Sequence, residues 1–354
     1  MRLEDFMKLN TQAEGGPTAP SPDAPADFST TWSPLGLPAG IDPVTAPAGA
    51  PADRDYTALC RAIAARERVP EEHVVCGAGV AELLRRILFV TAPQKAVMPA
   101  PCAALPEQIF TAMGCAISRC MLWETRGFAM GEAFAAAVNR ETALAYLPNP
   151  CDPTGQLAGS ETTAAILDKC ARMGTYLLVD ESLLDFTDAP ADHSLMRFVS
   201  RFPNLIVLKS FESLYAMPGV PLAYCVTANP ILLQKLNALA GSGVLSAASC
   251  RAGLAALQSR QHIQRARVLV HSERTKLTAM LKKAGLSVYN SDCNLLLVRA
   301  DKPGLADALA ARGFLVKNCG DCAGLSDTYC RIAVRSAAEN AALALAVKQV
   351  LPTL

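Results

Sequence analysis

Short runs of apolar residues recur along the first two thirds of the chain, and helical spacing of apolar residues separates them. The run at 205–208 has the length and β-branched content of a strand that is buried on both faces. Similar runs predict further strands at 74–76, 95–99, 143–147 and 176–179. Between them, the spacing of Leu59 and Ile63 predicts a helix over 55–68, and a second helix is predicted over 81–89. This alternation predicts an α/β fold.

The last third of the chain changes pattern. A long, mostly helical stretch is predicted from 246 to about 281, and shorter strands and helices alternate after it. With 354 residues, the chain is long enough for one large α/β domain and a smaller companion domain.

Composition supports a packed core and argues against two classes of partner. Apolar residues make up 51% of the chain and charged residues 18%, so global disorder is not expected. The net charge of +1 provides no attraction to nucleic acid or to an anionic membrane surface. No stretch approaches the length of a membrane span, and the first ten residues lack a secretory pattern. We therefore expect a cytoplasmic protein with no nucleic-acid and no membrane partner.

The thirteen cysteines predict reduced thiols that are buried as small hydrophobic residues, because no export signal indicates an oxidising compartment. Cys319 and Cys322 form the only CxxC motif. A structural zinc site needs a second pair at matching spacing, which Cys293 and Cys330 do not provide. A redox CxxC typically follows an early strand rather than standing near the carboxyl end. No metal site is expected.

The segment after the run at 205–208 carries the most informative motif, reading LKSFESLYAMPGVPLAY over 208–224. It resembles the lysine segment of fold-type I pyridoxal-phosphate enzymes, the aminotransferase family, in which a strand ends in S-F-[ST]-K-x-[YF]-x-[LIM]-P-G-x-R-[LIV]-G-Y. The matching positions are Ser210, Phe211, Tyr215, Met217, Pro218, Gly219, Leu222 and Tyr224. The lysine of the pattern falls on Ser213 and the arginine on Pro221. A hydroxyl forms no Schiff base, and proline donates nothing to a cofactor phosphate.

Two further segments resemble turns that bind the cofactor in this family. Gly77, Ala78 and Gly79 match the phosphate-binding GNG turn at a helix start, except that Ala78 replaces the asparagine. In the NPCDPTG segment, Asp152 replaces the asparagine that donates to the cofactor's phenolate oxygen. An ionised carboxylate only accepts hydrogen bonds, so Asp152 would repel the phenolate. A turn-stabilising role for Asp152 is an equally open interpretation.

Asp180 is the one cofactor-facing side chain that is fully retained. It follows the strand at 176–179 in a segment that resembles the family's VDEAYxDF, where the aspartate keeps the pyridine nitrogen protonated. An acid at the end of a strand in a doubly wound sheet is also common without catalysis, so both roles stay open. The family's tyrosine in this segment falls on Leu183. The tyrosine that reaches the partner subunit's cofactor phosphate falls on Pro51.

The carboxyl-terminal segment reads YCRIAVR over 329–335. It resembles the ending of the branch that contains threonine-phosphate decarboxylase and histidinol-phosphate aminotransferase. There Arg331 corresponds to the arginine that binds the substrate's α-carboxylate, and Arg335 to an arginine of the phosphothreonine-using subgroup. Two arginines four positions apart can present forked donors to one anion, so an anion site is predicted here.

The resemblance implies a fold-type I architecture, with a mostly parallel sheet in the large domain and a smaller α/β domain. It places an irregular arm at 1–27, the large domain at 51–240 and the start of the bridging helix at 241–265. The small domain takes 28–50 and 266–354. In this family the active site forms at a dimer interface.

The losses favour a catalytically silent relative for which no cofactor is expected. Five positions each remove a separate contact to pyridoxal phosphate, and they are Ser213, Pro221, Leu183, Asp152 and Pro51. If the chain no longer bound pyridoxal phosphate, the requirement for the family's residue would be lost at all five positions together. Two uses of the scaffold stay open. One is binding of a phosphorylated or carboxylated metabolite through the two arginines, Ser210 and the amides of 77–79. The other is assembly as a homodimer or as a heterodimer with an active relative.

An alternative is a working pyridoxal-phosphate enzyme that uses another amine. Lys209 is the only nearby candidate, and the chain would then be an aminotransferase or a decarboxylase of the cobalamin-pathway type. Side chains alternate along a strand, so Lys209 is expected to face away from Ser210. A metal-dependent or thiol-redox protein has the least support.

Overall fold

The structure, a computed structural model, describes residues 25–39, 41, 52–217 and 219–354. A large β-sheet lies at the centre of this part of the chain. The sheet has seven strands in the order β2-β8-β7-β6-β5-β3-β4. These strands are β2 (Val74–Gly77), β3 (Lys95–Ala100), β4 (Ala116–Met121), β5 (Leu144–Pro148), β6 (Tyr176–Asp180), β7 (Leu205–Ser210) and β8 (Ala223–Val226). Pairing is parallel from β4 to β7, and β8 runs antiparallel between β7 and β2. The predicted mostly parallel sheet is confirmed.

Both faces of the central strands are buried, which explains why these strands read as continuous apolar runs. On β7, Leu205 and Val207 pack into one hydrophobic cluster, whereas Ile206 and Leu208 pack into a second cluster on the opposite face. Successive side chains of a strand point to opposite faces, so the two clusters lie on the two sides of the sheet. The helices of the large domain provide the covering layers.

The helices predicted over 55–68 and 81–89 are observed at Ala52–Glu67 and Val80–Thr91. The helices as far as Gln258 are α1 (Ala52–Glu67), α2 (Val80–Thr91), α3 (Ala104–Ala112), α4 (Glu132–Ala137), α5 (Ser160–Met173), α6 (Pro190–His193), α7 (Pro230–Ala240) and α8 (Ala247–Gln258). In α7, proline takes the first helical position and the Asn229 side chain accepts hydrogen bonds from the amides of Ile231 and Leu232.

A smaller α/β unit follows, built on a four-stranded antiparallel sheet in the order β12-β13-β10-β9. Its strands are β9 (Ser287–Val288), β10 (Leu295–Arg299), β12 (Lys317–Asn318) and β13 (Tyr329–Ala333). Its helices are α9 (Arg260–Ala284), α10 (Leu305–Ala310) and α11 (Ala337–Val350). A separate cluster that includes Phe28, Leu277 and Leu296 forms its core.

Two boundaries differ from the prediction. The end of the predicted irregular arm is a strand, β1 (Ala26–Asp27), which pairs in parallel with β11 (Phe314–Leu315). The predicted long helix is divided at Ser259, whose ψ of 51° breaks the helical conformation between α8 and α9. Pro51, Pro218 and most of the arm lie outside the described residues.

All thirteen cysteines are buried, as the sequence predicts. Within the described ranges, no three histidine, cysteine, aspartate or glutamate side chains come together as a metal site would require. None of the helices described above is both long and apolar enough to cross a membrane.

Candidate functional site

The predicted cofactor-site residues of the large domain meet where the strands of the large sheet end. Gly77 at the end of β2 and Ser210 at the end of β7 both lie opposite the same residue of β8, Ala223. Asp180 ends the neighbouring strand β6 and lies opposite Leu208. Ligands of open α/β sheets bind at this edge, so we treat these residues as the candidate site.

Ser213 occupies the turn after β7, where the family pattern requires a lysine. Its side-chain oxygen lies 2.9 Å from the hydroxyl oxygen of Thr31, and its carbonyl accepts a 2.8 Å hydrogen bond from the amide of Ser33. The side chain is buried against the segment that follows β1. This position therefore presents a paired hydroxyl and no amine.

Lys209 is buried in a network of charged side chains. Its Nζ lies 3.4 Å from Glu67 Oε1 and 3.7 Å from Asp185 Oδ2. The Arg66 guanidinium contacts the same two carboxylates, at 3.3 Å and 2.8 Å. Burial alone would lower the pKa of Lys209, but the charges of Asp185 and Glu67 outweigh it and raise that pKa. Lys209 is therefore held in its protonated form.

Strand alternation explains why this amine does not share the side of Asp180. Lys209 follows Leu205 and Val207, whose cluster lies on one face of the sheet. Leu178 packs into the cluster on the other face together with Tyr146, whose hydroxyl donates to Asp180. Since residues two apart share a face, Lys209 and Asp180 belong to opposite faces.

Arg331, the predicted carboxylate-binding arginine, is already paired with a carboxylate of this chain. Its Nη1 donates to Asp152 Oδ2 at 2.5 Å, and its Nη2 donates to the carbonyl of Ser29. The arginine side chain is 4% exposed and that of Asp152 20%. A buried charge-assisted hydrogen bond of this kind is strong, so Asp152 takes the place that an anionic ligand would have.

Arg335 makes a different contact. Its Nε lies 3.6 Å from Glu339 Oε1, and its amide donates to the side-chain oxygen of Asn340 at 3.0 Å. Glu339 also belongs to the capping box with which Ser336 begins α11. Each of the two arginines thus has a carboxylate of its own, and their joint binding of one anion stays a prediction.

The turn that resembles the phosphate site holds a carboxylate. The amide of Ala78 donates to Glu82 Oε2 at 3.1 Å, and Glu82 is paired with Arg86 at 2.5 Å. A Cβ on Gly77 would lie 2.2 Å from Glu82 Oε2, so glycine is needed there for this close approach. A phosphate would have to displace the negative charge of Glu82 from this amide.

The two remaining positions from the sequence have local partners. Ser210 Oγ accepts a 3.0 Å hydrogen bond from the amide of Glu212. Asp180 accepts from Tyr146 at 3.0 Å and from the amide of Ser182 at 2.9 Å. Burial raises the pKa of Asp180, and the nearby charge of Asp152 raises it further. The hydrogen bonds from Ser182 and Tyr146 lower the pKa but do not outweigh these two effects.

Taken together, these residues do not fit covalently bound pyridoxal phosphate. Ser213 offers no amine. Pro221 lies beside the turn at 77–79, because its Cβ is 3.7 Å from where a Cβ on Gly79 would be, but proline brings no guanidinium to that turn. Leu183, where the family has a tyrosine, is a buried apolar side chain. Asp180 keeps the carboxylate that the resemblance implies, and it accepts hydrogen bonds from Tyr146 and from the amide of Ser182.

The fold and the order of these strand-end motifs define a class, the fold-type I α/β proteins. The family model described as "Aminotransferase class I and II" matches residues 52–349, so the chain belongs to that family. The threonine-phosphate decarboxylase of Salmonella typhimurium is 29% identical over 339 residues, which is 94% of this chain and 92% of the relative. A histidinol-phosphate aminotransferase of Symbiobacterium thermophilum is 28% identical, covering 99% of this chain and 91% of the relative.

Solved structures agree on the fold. The histidinol-phosphate aminotransferase from Clostridium acetobutylicum has a TM-score of 0.86 at 21% identity and covers 93% of this chain and 100% of its own. That from Sinorhizobium meliloti, in complex with pyridoxal-5'-phosphate, has a TM-score of 0.82 at 20% identity, with 93% and 91% covered. The family is pyridoxal-phosphate-dependent, as the resemblance implies.

Sequence reasoning missed the partners that neutralise the site. The pairing of Asp152 with Arg331 was not predicted, and neither was the contact of Glu82 with the turn at 77–79. The sequence did contain one indication of the Asp152–Arg331 pair. Asp152 is negatively charged where the family pattern has a neutral asparagine, while Arg331 is retained. The carboxylates around Lys209 left no comparable signal.

Proposed function

We propose that this chain is a catalytically silent member of the class I and II aminotransferase family. The observation that carries the proposal is the contact between Ser213 and Thr31, which puts two hydroxyl groups where Schiff-base chemistry requires an amine. The replacements at Pro221, Leu183 and Asp152 support it, because each affects a different part of the same ligand.

The buried charges around Lys209 argue against the alternative of an active enzyme. A Schiff base forms from a neutral amine, and Glu67 and Asp185 stabilise the protonated form of Lys209. Moving Lys209 out of this network would also leave the buried carboxylates of Glu67 and Asp185 with less positive charge to balance them. Lys209 is better explained as part of the structure.

The internal pairing of Arg331 favours assembly over metabolite binding. A phosphorylated or carboxylated ligand would have to displace Asp152 from the guanidinium and Glu82 from the Ala78 amide, with no gain in ion pairs. We therefore propose that the chain serves as a subunit, paired with itself or with an active relative. Native mass spectrometry tests this role. A dimer supports it, and a monomer both alone and with the active relative contradicts it.

Returning the lysine alone should not restore an enzyme. For Ser213→Lys we expect no decarboxylation of threonine phosphate and no transamination of histidinol phosphate, the compounds that the relatives' names indicate. The physical reason is that the phosphate and phenolate contacts would still be missing. Product formation is measured by chromatography with excess pyridoxal phosphate. The wild-type chain is the control, and sustained turnover by the variant would show that the pocket is more intact than proposed.

A further inference from the structure

Two cysteine side chains lie against each other between the first helix and the edge of the large sheet. The Sγ atoms of Cys60, on α1, and Cys76, on β2, are 3.7 Å apart. A disulfide requires about 2.05 Å between the sulfurs, so the two side chains would have to move towards each other to join. Both residues are buried, Cys60 to 6% exposure and Cys76 to 0%.

Only one of the two thiols borders a cavity. A cavity of about 620 Å³ lies beside α1 and α7, and its lining includes Cys60, Tyr56, Glu71, Asn237 and Leu245. Cys76 is not part of that lining. A small solute entering the cavity would therefore reach Cys60 first, with Cys76 behind it.

The electrostatic environment makes the two thiols unequal. A hydrogen bond from Cys76 lowers the pKa of Cys60 and one from Tyr56 acts in the same direction, against the opposing effects of burial and of the Glu71 charge. The same sulfur pair and full burial raise the pKa of Cys76. Cys60 is therefore both the thiol that borders the cavity and the one whose pKa is lowered, which suits an attacking cysteine.

We propose that Cys60 and Cys76 form a hydroperoxide-reactive dithiol site, in which Cys60 is the attacking and Cys76 the resolving cysteine. The Cys60 thiolate attacks one peroxide oxygen, and the O–O bond breaks to give a sulfenic acid and hydroxide. Cys76 sulfur then attacks the Cys60 sulfur, and the departing hydroxide takes the Cys76 proton as water. Overall, two thiols lose two electrons, and hydrogen peroxide is reduced to two molecules of water.

The cross-link would fix α1 to β2 directly before the turn at 77–79. It would close the chain between residues 60 and 76, and closing a loop of this length restricts the unfolded state. The oxidised protein should therefore melt at a higher temperature than the reduced protein. This inference does not depend on the absence of pyridoxal-phosphate chemistry.

Peptide mapping of the folded wild-type chain tests the site. After treatment with hydrogen peroxide, alkylation of remaining thiols and digestion without reductant, we expect a Cys60–Cys76 peptide as the main cross-linked product. Cys120→Ser is the matched control, since Cys120 is similarly buried at 7% exposure, and it should form the same cross-link. Absence of that peptide, its appearance only after unfolding in urea, or a Cys319–Cys322 cross-link in its place would overturn the proposal.

Variants separate the roles of the two cysteines. In Cys76→Ser, the reaction should stop at the sulfenic acid on Cys60, which a dimedone-type probe traps. In Cys60→Ser, the probe should label neither position. Labelling of Cys76 in the second variant, or no labelling of Cys60 in the first, would contradict the assigned roles.

Discussion

Lys209→Met is expected to lower the free energy of unfolding by about 3–5 kcal/mol, because removing one partner of a buried ion pair leaves uncompensated charge. The carboxylates of Glu67 and Asp185 are 9% and 18% exposed, and Arg66 alone would have to neutralise both. Methionine preserves much of the length and volume of lysine, so the decrease in the free energy of unfolding would come mainly from the loss of the positive charge. Chemical denaturation followed by circular dichroism measures it.

Lys95→Met is the matched control for this variant. Lys95 is paired with Glu141 at 2.8 Å, but the two side chains are 36% and 77% exposed. Water and salt screen exposed pairs of this kind, so they contribute little to stability and the control should unfold close to the wild-type chain. If both variants lost equally little stability, Lys209 would not be held as the structure shows and would be free for chemistry.

Asp152→Ala should create an anion site that the wild-type chain lacks. Removing the carboxylate takes away the ion pair that Asp152 makes with the buried Arg331 guanidinium, at an expected cost of about 3–5 kcal/mol. Added acetate would supply a carboxylate at the vacated position. Saturating ligand stabilises the folded state by about 2.7 kcal/mol at a hundred times its dissociation constant. Thermal unfolding against acetate concentration, with chloride at equal ionic strength, measures this rescue.

The matched control is Asp168→Ala. Asp168 is paired with Arg172 at 2.9 Å on the exposed surface of α5, so its loss should neither destabilise strongly nor respond to acetate. Asp152→Asn provides a second variant if alanine prevents folding, because the amide can still accept a hydrogen bond from Arg331. An equal response to acetate in the wild-type chain and in Asp152→Ala would show that Arg331 is already open to ligands.

The large sheet could be predicted from local pattern because both faces of its strands are covered. The runs at 74–76, 95–99, 143–147, 176–179 and 205–208 each lie within an observed strand or reach within one residue of its end. The strand Ala26–Asp27 could not be predicted in this way. Its conformation depends on pairing with Phe314–Leu315, and no local sequence feature specifies a partner so far along the chain.

The break between α8 and α9 shows a different limit. Ser259 interrupts a stretch whose helical pattern continues on both sides, and no proline or glycine marks the place. α8 packs on α1, whereas α9 packs on α11. Tertiary packing of these two helices in different directions, rather than local propensity, determines the boundary.

For the candidate site, the sequence indicates at which positions the side chain of the family pattern is replaced, and the structure shows what the residues at those positions contact. Ser213 follows from the motif alone, since its position is fixed relative to the strand at 205–210. Asp152 and Arg331 are 179 positions apart, and Lys209 and Glu67 are 142 apart. Ion pairs at such separations depend on the complete fold, so spacing in the sequence could not reveal them.

Borohydride reduction of the wild-type chain after incubation with pyridoxal phosphate tests the central claim most directly. Reduction fixes any Schiff base as a stable pyridoxyl-lysine, which peptide mass spectrometry assigns to a position. An active family member with its lysine in place is the positive control. We predict no specific pyridoxyl label at the candidate site, on Lys209 or on any other lysine. A stoichiometric label on Lys209 would contradict the account and identify the chain as a working enzyme with a displaced amine.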